Sequence, residues 1–520
     1  MNSVPLLRFG VMTDNHLAPE HPELAGRTLA AFKLLNRLGT DLVIDCGDIS
    51  DTWQPEELKH FYRMFMEAFA GKIPQRLWIL AGHDVLRHPD YMDAYPEAAL
   101  CIDVKEMVPM CCVNGFYFVG VFQCGDYQEF ERKLQMAVNA SGCRPVFAVT
   151  HEPAADTVLH SDYNGDRELL QIFERYPQVI QISGHTHDPI SHDRSIWQGK
   201  FTAFNAGSLT YWKDLTFGRE SRRHQSCDVL FCELYSDRLI VQRLNAMTGE
   251  KQAPDWIIPL PFDPQTAPYR PERRKKELTV PMFQHKASLH FSGEGFGKLT
   301  VRHAVPHSSV LRYRVTLFEG EKELSVMDFY PGTWENAAGK EEEDFFFPPG
   351  MVEYGHHYHC TVVPLNHFDC GTDAAELEFT ASGIFLEELP VQGISGVRAG
   401  EKTLPVSADG CFETDGTYPH GYKIGLPEKL TGYYDSPVVM VFDFSCEHAG
   451  RPAVLMACGE KPDYGRHYFP SGKEKEHRHC FDLSDLKGKD RYILLCEGEA
   501  GNYHIGNVRY FTYSKNKGGN

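Results

Sequence analysis

An α/β domain followed by two all-β sandwich domains is the architecture this 520-residue sequence predicts, on three observations. Over the first half, short apolar runs of strand length alternate with segments of helical spacing, the pattern of a largely parallel sheet. That alternation stops where prolines recur at 254, 259, 261, 264, 268, 271 and 281. Beyond them the texture is short strands and turns with period-two alternation, as in sandwiches. The division expected is an α/β domain over 1–252, a Pro-rich linker over 253–285, and sandwiches over 286–386 and 387–515. A chain of this length should hold about three domains.

Taken in order, Leu6 to Met12 reads as a buried strand that closes on Asp14-Asn15-His16. Pro22 to Leu38 has helical spacing, and Leu42 to Asp45 is a second strand, ending at Gly47-Asp48. Pro55 to Ala70 is a second helix, with Thr52 and Gln54 near its start. Leu77 to Leu80 leads to His83-Asp84, Val146 to Val149 to His151-Glu152-Pro153, and Val179 to Ile182 to Gly184-His185-Thr186-His187. Cys227 to Leu244 then reads as a strand pair around Tyr235-Ser236-Asp237. Taken singly these clusters are ordinary, because turns collect Asp and Gly for backbone reasons. Together they carry weight. Ligands of an open α/β sheet bind outside the carboxyl ends of its strands, so the five clusters would meet on one edge with two aspartates and four or five histidines. Carboxylate oxygen with imidazole nitrogen and no thiolate suits Mn, Fe, Zn or Co.

The ordered set D-x-H, G-D-x-x-D, H-D, H-x-P and G-H-x-H resembles the calcineurin-like metallophosphoesterase superfamily over about the first half of the chain. The resemblance implies a four-layer αββα domain and two divalent or trivalent metal ions. Carried over residue by residue, it implies that Asp14, His16 and His187 hold one metal, that His151 and His185 hold the second, and that Asp48 bridges both. His83 would be the general acid and Asp84 would orient its ring. Asn205-Ala206-Gly207-Ser208 resembles the N-P-G-S turn that follows G-H-x-H in the family. One position departs from the pattern: Gly82 stands where a metal-binding Asn is expected, leaving the second metal short of a carbonyl. In an alternative register His83 takes the ligand position and Asp84 the acid position; the first is preferred because it keeps the His-Asp pair followed by Val85.

The chemistry explains why these residue types recur. Two metals ~4 Å apart clamp a phosphate and turn a bridging water into a hydroxide nucleophile near neutral pH. Charge building on the phosphoryl oxygens is offset electrostatically, and an imidazole of pKa about 6.5 can protonate the leaving alkoxide. A metal-bound His commonly donates its other ring nitrogen to a carboxylate or carbonyl, for which Glu152 and Asp188 are neighbouring candidates. The expected function is hydrolysis of a small phosphomonoester or phosphodiester. Purple acid phosphatases carry Tyr where this chain has Asp51, so no tyrosinate-to-iron band is expected. A nuclease of the same superfamily is one alternative, and a catalytically weakened binding or scaffold protein, hinted at by Gly82, is another. Substrate choice would lie in loops such as His16 to Arg27, His88 to Tyr95 and His160 to Arg167.

Charge bears on the partners. Asp and Glu number 71 against 52 Lys and Arg, a formal net charge of -19, whereas phosphate-backbone binding needs clustered Lys and Arg. The compact basic run, Arg270 to Lys276, reads better as solvated linker charge. Nucleic acid and membrane partners are therefore not expected, and a small phosphorylated substrate is. Fifteen cysteines, an odd number without a C-x-x-C, read as inert thiols of a reducing compartment rather than a disulfide framework. Met1 runs almost directly into the first strand without a secretory signal or membrane span. A cytoplasmic location is expected, a trimmed leader being the alternative.

In the 286–386 region, Tyr358 to Asn366 alternates at period two, with Tyr358, Cys360 and Val362 on one face. Followed by Cys370-Gly371-Thr372, it resembles the Y-x-V-x-V-x-A-x-N…G strand of fibronectin type III domains. Val310 to Phe318 would be a partner strand, and Phe345 to Phe347 would feed the core. His356, His357 and His359 could suggest a metal, but His357 and His359 fall on the face opposite Tyr358, which is expected to be solvent. Glu341 to Asp344 reads as hydrated carboxylates rather than a calcium site. In the 387–515 region, Val438 to Phe444, Ala453 to Ala457, Tyr492 to Cys496 and Val508 to Tyr513 fit a jelly-roll-like sandwich. Its texture is similar to carbohydrate-binding modules, so a carbohydrate or protein ligand is conceivable there. Tyr433, Tyr434, Tyr464 and Tyr468 could stack on sugars, with core packing the stronger expectation.

Overall fold

The computed structural model describes residues 4–86, 91–123, 125–213, 223–284, 289–306, 309–331, 341–415, 421–433, 436–448, 453–458, 464–469, 473–484, 492–496 and 500–513. Two compact units result: Met1–Lys213 with Arg223–Glu277, and a second containing Leu278–Asn520. No helix among the described residues is long and apolar enough to cross a membrane.

The first unit begins with β1 (Leu7–Met12), α1 (Pro22–Leu38), β2 (Leu42–Asp45), α2 (Pro55–Ala68) and β3 (Gln75–Trp78). After a single π-helical turn at Gly82–Leu86 come α3 (Tyr91–Cys101), β4 (Met110–Val113), β5 (Phe116–Gly120), α4 (Tyr127–Ser141) and β6 (Val146–Val149). Two short helices, α5 (Ser161–Asn164) and α6 (Arg167–Phe173), lead to β7 (Val179–Ser183), β8 (Ile196–Gln198), β9 (Thr202–Asn205) and β10 (Tyr211–Lys213). β11 (Arg223–Gln225), β12 (Asp228–Leu234), β13 (Arg238–Asn245), β14 (Lys251–Pro259) and α7 (Pro271–Glu277) complete the unit.

Two six-stranded sheets result, ordered β14-β13-β12-β1-β2-β3 and β4-β5-β6-β7-β9-β8. Phe9 of the first sheet packs edge-on against Phe118 and Phe147 of the second, at 5.4 and 5.1 Å between ring centres. Helices cover the outer faces. On the first sheet, Phe32 of α1 meets Phe61 and Phe65 of α2, and α1 crosses β1 so closely that a Cβ on Gly10 would lie 2.4 Å from Leu35. On the second, Phe130 and Leu134 of α4 pack with Val119 and Ala148. The layers are αββα. The strands expected to share one edge are thus divided between sheets: β1, β2 and β3 in one, β6 and β7 in the other.

The stretch expected to be linker from 253 is in part a strand. β14 pairs antiparallel with β13 and holds Pro254 and Pro259, which it tolerates because an edge strand need not donate on its outer side. The basic run lies at α7, where Arg273 pairs with Glu277 at 2.7 Å and Arg274 with Asp193 at 2.6 Å.

In the second unit a three-stranded sheet (Leu289–Ser292, Lys298–Arg302, Glu342–Phe346) and a four-stranded sheet (Lys322–Phe329, Arg312–Glu319, His357–Leu365, Ala375–Thr380) share a core. Tyr358, Cys360 and Val362 are fully buried in it with Leu299, Val301 and Phe345, while His357 is exposed. The remainder folds as further antiparallel sheets around Val438–His448 and Gly501–Thr512. Tyr433 packs half-buried against their core. Tyr434 and the side chains of Tyr464 and Tyr468 lie outside the described residues, as do residues 88–90 and the side chains of 91–95 in the loop from His88 to Tyr95.

Candidate metal centre

The backbone at the strand ends is unusual in a consistent way. Asp14, His16, Asp48, His185 and His187 all have positive φ, at 52°, 44°, 52°, 70° and 54°. Left-handed backbone costs a non-glycine residue of order 1–3 kcal/mol and survives only where its surroundings over-determine it. Here they do. Asp45 accepts from Asn15 at 2.7 Å and from the Gly47 N–H at 2.9 Å, tying the β1 and β2 loops together. Ser208 and Thr210 donate to the Asp14 carbonyl, and Asn205 donates to the Gly184 carbonyl at 2.6 Å. A Cβ on Gly184 would fall 2.0 Å from Thr13 Oγ1 and 2.6 Å from Asp14 Oδ2, so only glycine lets these two loops meet. The Asn205 to Ser208 turn thus clamps the loops that present Asp14 and His185.

Five of the six expected metal residues fall into two buried groups, Asp14-His16-His187 and Asp14-Asp48-His151. His187 Nε2 lies 3.0 Å from Asp14 Oδ1 and 3.2 Å from His16 Nε2. His151 Nε2 lies 3.3 Å from Asp48 Oδ2, and His185 Nδ1, the sixth, approaches it at 3.2 Å. Behind three of these rings, Nδ1 is anchored: His16 on Asp51 Oδ1 at 3.1 Å, His151 on the Cys46 carbonyl at 2.9 Å, His187 on the Tyr211 carbonyl at 3.0 Å. An Nδ1–H so engaged leaves Nε2 as a lone-pair donor, the arrangement that orients metal-binding imidazoles. Asp14 Oδ1, wholly buried, has no well-aligned hydrogen bond. Oxygen and imidazole donors, converging nitrogens and an unsatisfied carboxylate oxygen fit a metal site.

His83 sits at the margin, with 24% of its side chain exposed against 5% or less for His16, His151 and His187. Its backbone N–H donates to Asp48 Oδ1 at 2.9 Å, and its ring stands edge-on to His16 at 4.5 Å. The expectation that Asp84 orients this ring is corrected. Asp84 is buried and its two oxygens accept the backbone N–H groups of Ser50 and Ala81 at 2.8 and 2.9 Å. The carboxylate beside His83 Nδ1 is Asp51, at 3.1 Å. Sequence reasoning also passed over Tyr211, whose ring stacks on His187 at 4.3 Å. No local motif marks it.

The calcineurin-like phosphoesterase family matches residues 7–189. That stretch is a calcineurin-like metallophosphoesterase domain. No curated protein matches the chain. Among solved structures it is similar to GAP50, the anchor in the inner membrane complex of Plasmodium, at 12% identity and a TM-score of 0.35, over 49% of this chain and 89% of that one. It is similar to the purple acid phosphatase PPD1 of yellow lupin at 12% identity and a TM-score of 0.35, over 49% of this chain and 53% of that one. A 5'-nucleotidase assigned in Staphylococcus aureus aligns over 60% of this chain and 74% of its own, at 12% identity and a TM-score of 0.28.

The electrostatics of the phosphoesterase domain favour a cation. Burial would raise the Asp48 pKa, but His151, then His16 and His83, pull it well below the carboxylate range. Burial is likewise overcome at Asp14, chiefly by His187, and its pKa is lowered. Burial disfavours charge on His151, yet Asp48 and Asp14 raise its pKa to about 10. Burial, and after it the Asp48 charge, push Asp84 up to about 7.

Proposed function

We propose that this chain is a metal-dependent phosphoric ester hydrolase acting on a small phosphomonoester or phosphodiester. The observation that carries the reading is the convergence of His16, His151 and His187 Nε2 on Asp14 and Asp48, each ring anchored behind by Nδ1. In this reading Asp14, His16 and His187 hold one metal ion, His151 and His185 a second, and Asp48 serves both. Two ions bound there would supply the Lewis acidity that polarises a phosphoryl group and acidifies water. The donor set suits Mn, Fe, Zn or Co.

The chain's own part is positioning and proton delivery. The αL turns hold the carboxylates and imidazoles in place before substrate arrives, so little reorganisation is left for the reaction itself. His83, the more exposed imidazole at the rim, protonates the departing alkoxide. Gly82 offers no side chain to the second metal, so that ion binds more weakly, and Gly82→Asn tightens it. The acidic balance and the ion-paired Arg273 and Arg274 favour a small-molecule substrate over nucleic acid. The three-plus-four strand pairing of 289–380 supports a fibronectin type III-like sandwich, and the sheets after it a jelly-roll-like one.

The test is elemental analysis of the purified chain beside turnover of nitrophenyl phosphomonoesters and phosphodiesters. About two metals per chain are expected, with turnover lost to a chelator and restored by added metal. A chain that takes up no metal, or hydrolyses these esters equally well without it, overturns the proposal.

A further inference from the structure

Gly82 leaves the second metal short of a side-chain carbonyl, and a carboxamide with a buried oxygen lies among the loops that border it. Gln123 follows β5, a strand of the second sheet, yet it touches the first. A Cβ on Gly120, at the end of β5, would fall 2.9 Å from Ile79, just after β3, so the two sheets meet closely here. The Gln123 backbone N–H then donates to the Leu80 carbonyl at 3.3 Å, two residues before Gly82. A Cβ on Gly47 would fall 2.6 Å from Ala81 and 3.2 Å from His151 Nδ1. The Gly82 turn and the His151 loop are therefore neighbours, and Gln123 bridges them.

Its side chain reaches the second of these loops. Gln123 Nε2 donates to Glu152 Oε1 at 2.6 Å, beside His151. A carboxylate oxygen accepts, so this contact fixes which end of the amide is nitrogen and which is oxygen. The Oε1 end is buried and has no hydrogen-bond partner among the described residues. Such an orphaned acceptor is costly and uncommon. Asp14 Oδ1 is in the same condition, and Asp14 belongs to both buried candidate metal groups. The backbone around Gln123 is held as well. The Val121 N–H donates to the Val149 carbonyl and the Phe122 N–H to the Met107 carbonyl, both at 3.0 Å, and the Gly125 N–H closes a turn on the Phe122 carbonyl at 2.8 Å. A chain fixed on both sides presents the amide from a set position.

We propose that Gln123 Oε1 is an oxygen donor to the second metal, supplying from the end of β5 the carboxamide that Gly82 does not. The inference rests on the phosphoesterase reading. A carbonyl oxygen beside imidazole and carboxylate suits the same ions. Glu152 then orients the amide from behind, as the Cys46 carbonyl orients His151.

The test is zinc binding by the full chain, measured by competition with a chelator, the second ion being the one lost in His185→Ala. Gln123→Ala and Gln123→Leu should weaken that ion by at least about tenfold, since losing even a partner behind a metal-bound group costs about 10- to 100-fold. The first ion should be unchanged. Gly82→Asn should restore the second ion in either variant, with a larger gain than in the wild type, because one carboxamide replaces the other. Unchanged affinity for the second ion overturns the proposal. So does a Gly82→Asn gain of equal size with and without Gln123, which would make the two positions independent. If Gln123→Ala does not fold, Gln123→Leu, closer in volume and without the amide, decides. Wild-type chain that binds no zinc refutes the phosphoesterase reading itself. Wild-type chain that binds a single zinc ion overturns the Gln123 donor while metal-dependent hydrolysis stands.

Discussion

Of the three His-x-His segments in this chain, His185-Thr186-His187 after β7 and His357-Tyr358-His359 in a sandwich strand share their spacing and differ most in their surroundings; the third is His477-Arg478-His479. His185 and His187 both have left-handed backbone, and each has a ring nitrogen 3.0–3.2 Å from a second donor of the metal edge. His357 and His359 lie on an extended strand, on the face opposite the buried Tyr358. They face Glu378 at 3.6 Å and Glu376 at 4.0 Å, both largely exposed. Spacing puts two imidazoles on one side of the chain in either case. What separates a donor set from a solvated surface is convergence from other loops, the anchoring of Nδ1 and the exclusion of water.

The largest effect should come from Asp48, the carboxylate proposed to serve both metals. Asp48→Ala removes the carboxylate that faces His151 at 3.3 Å and His16 at 3.9 Å. Turnover should fall on the order of 10⁴-fold, since the metals' charge stabilisation is worth several kcal/mol and each 1.36 kcal/mol is a factor of ten. Elemental analysis should show both metals depleted, whereas His187→Ala should deplete the Asp14-His16 metal and His185→Ala the His151 metal. Full occupancy after Asp48→Ala would sink the assignment.

A narrower loss is expected at His83. His83→Ala should keep both metals and lose about 10²–10⁴-fold on an alkyl ester, much less on a nitrophenyl ester, because proton donation matters only to a basic leaving group. Equal losses with metals intact would make His83 a phosphate-positioning residue instead.

Acidity should separate the two His-x-His regions further. His151 is raised to about 10 in the metal-free protein, so the stability it contributes is complete below its ordinary value of 6.5 and is lost as pH rises through about 10. Asp48 and Asp51 run the other way: their lowered pKa values contribute stability above the ordinary carboxylate value of 3.8, lost as pH falls through the folded values. A metal must displace the His151 proton, so its affinity should rise by about tenfold per pH unit across the neutral range. Calorimetry in buffers of different ionisation heat should detect protons released on metal binding, and fewer from His151→Ala. Pair for pair, the same release from both proteins would remove His151 from the ligand set.

Much of the centre was legible because its candidate ligands follow apolar runs in a fixed order. β2 and β6 run from Leu42 to Asp45 and Val146 to Val149 as read, and α1 from Pro22 to Leu38. What was missed has physical reasons. Asp51 and Asp84 are both acids in turns, and only the fold decides which one a ring nitrogen meets. The division of the strands between two sheets depends on long-range pairing that no local period encodes. β14 was hidden by prolines that an edge strand accepts. The β4–β5 hairpin was readable: Asn114-Gly115, both at positive φ, is the dipeptide that favours a tight hairpin turn.

The smallest effect should come from the second His-x-His segment, and it tests the comparison from its other side. His357 is 64% exposed beside Glu378 at 73%, and His359 is 34% exposed beside Glu376 at 70%. Exposed pairs of this kind contribute about 0–1 kcal/mol, because water screens the charges and ordering two side chains costs entropy. His357→Ala with His359→Ala should therefore shift stability by about 0.5 kcal/mol or less, leaving metal content and turnover unchanged. Tyr358, between them, is fully buried and its hydroxyl accepts the Glu353 N–H at 2.9 Å, so loss of stability on replacing it would show that the strand itself is sensitive to damage. Metal lost from the His357/His359 double variant would mean that spacing alone can build a binding site here, and that the anchored nitrogens of the phosphoesterase edge are not what distinguishes it.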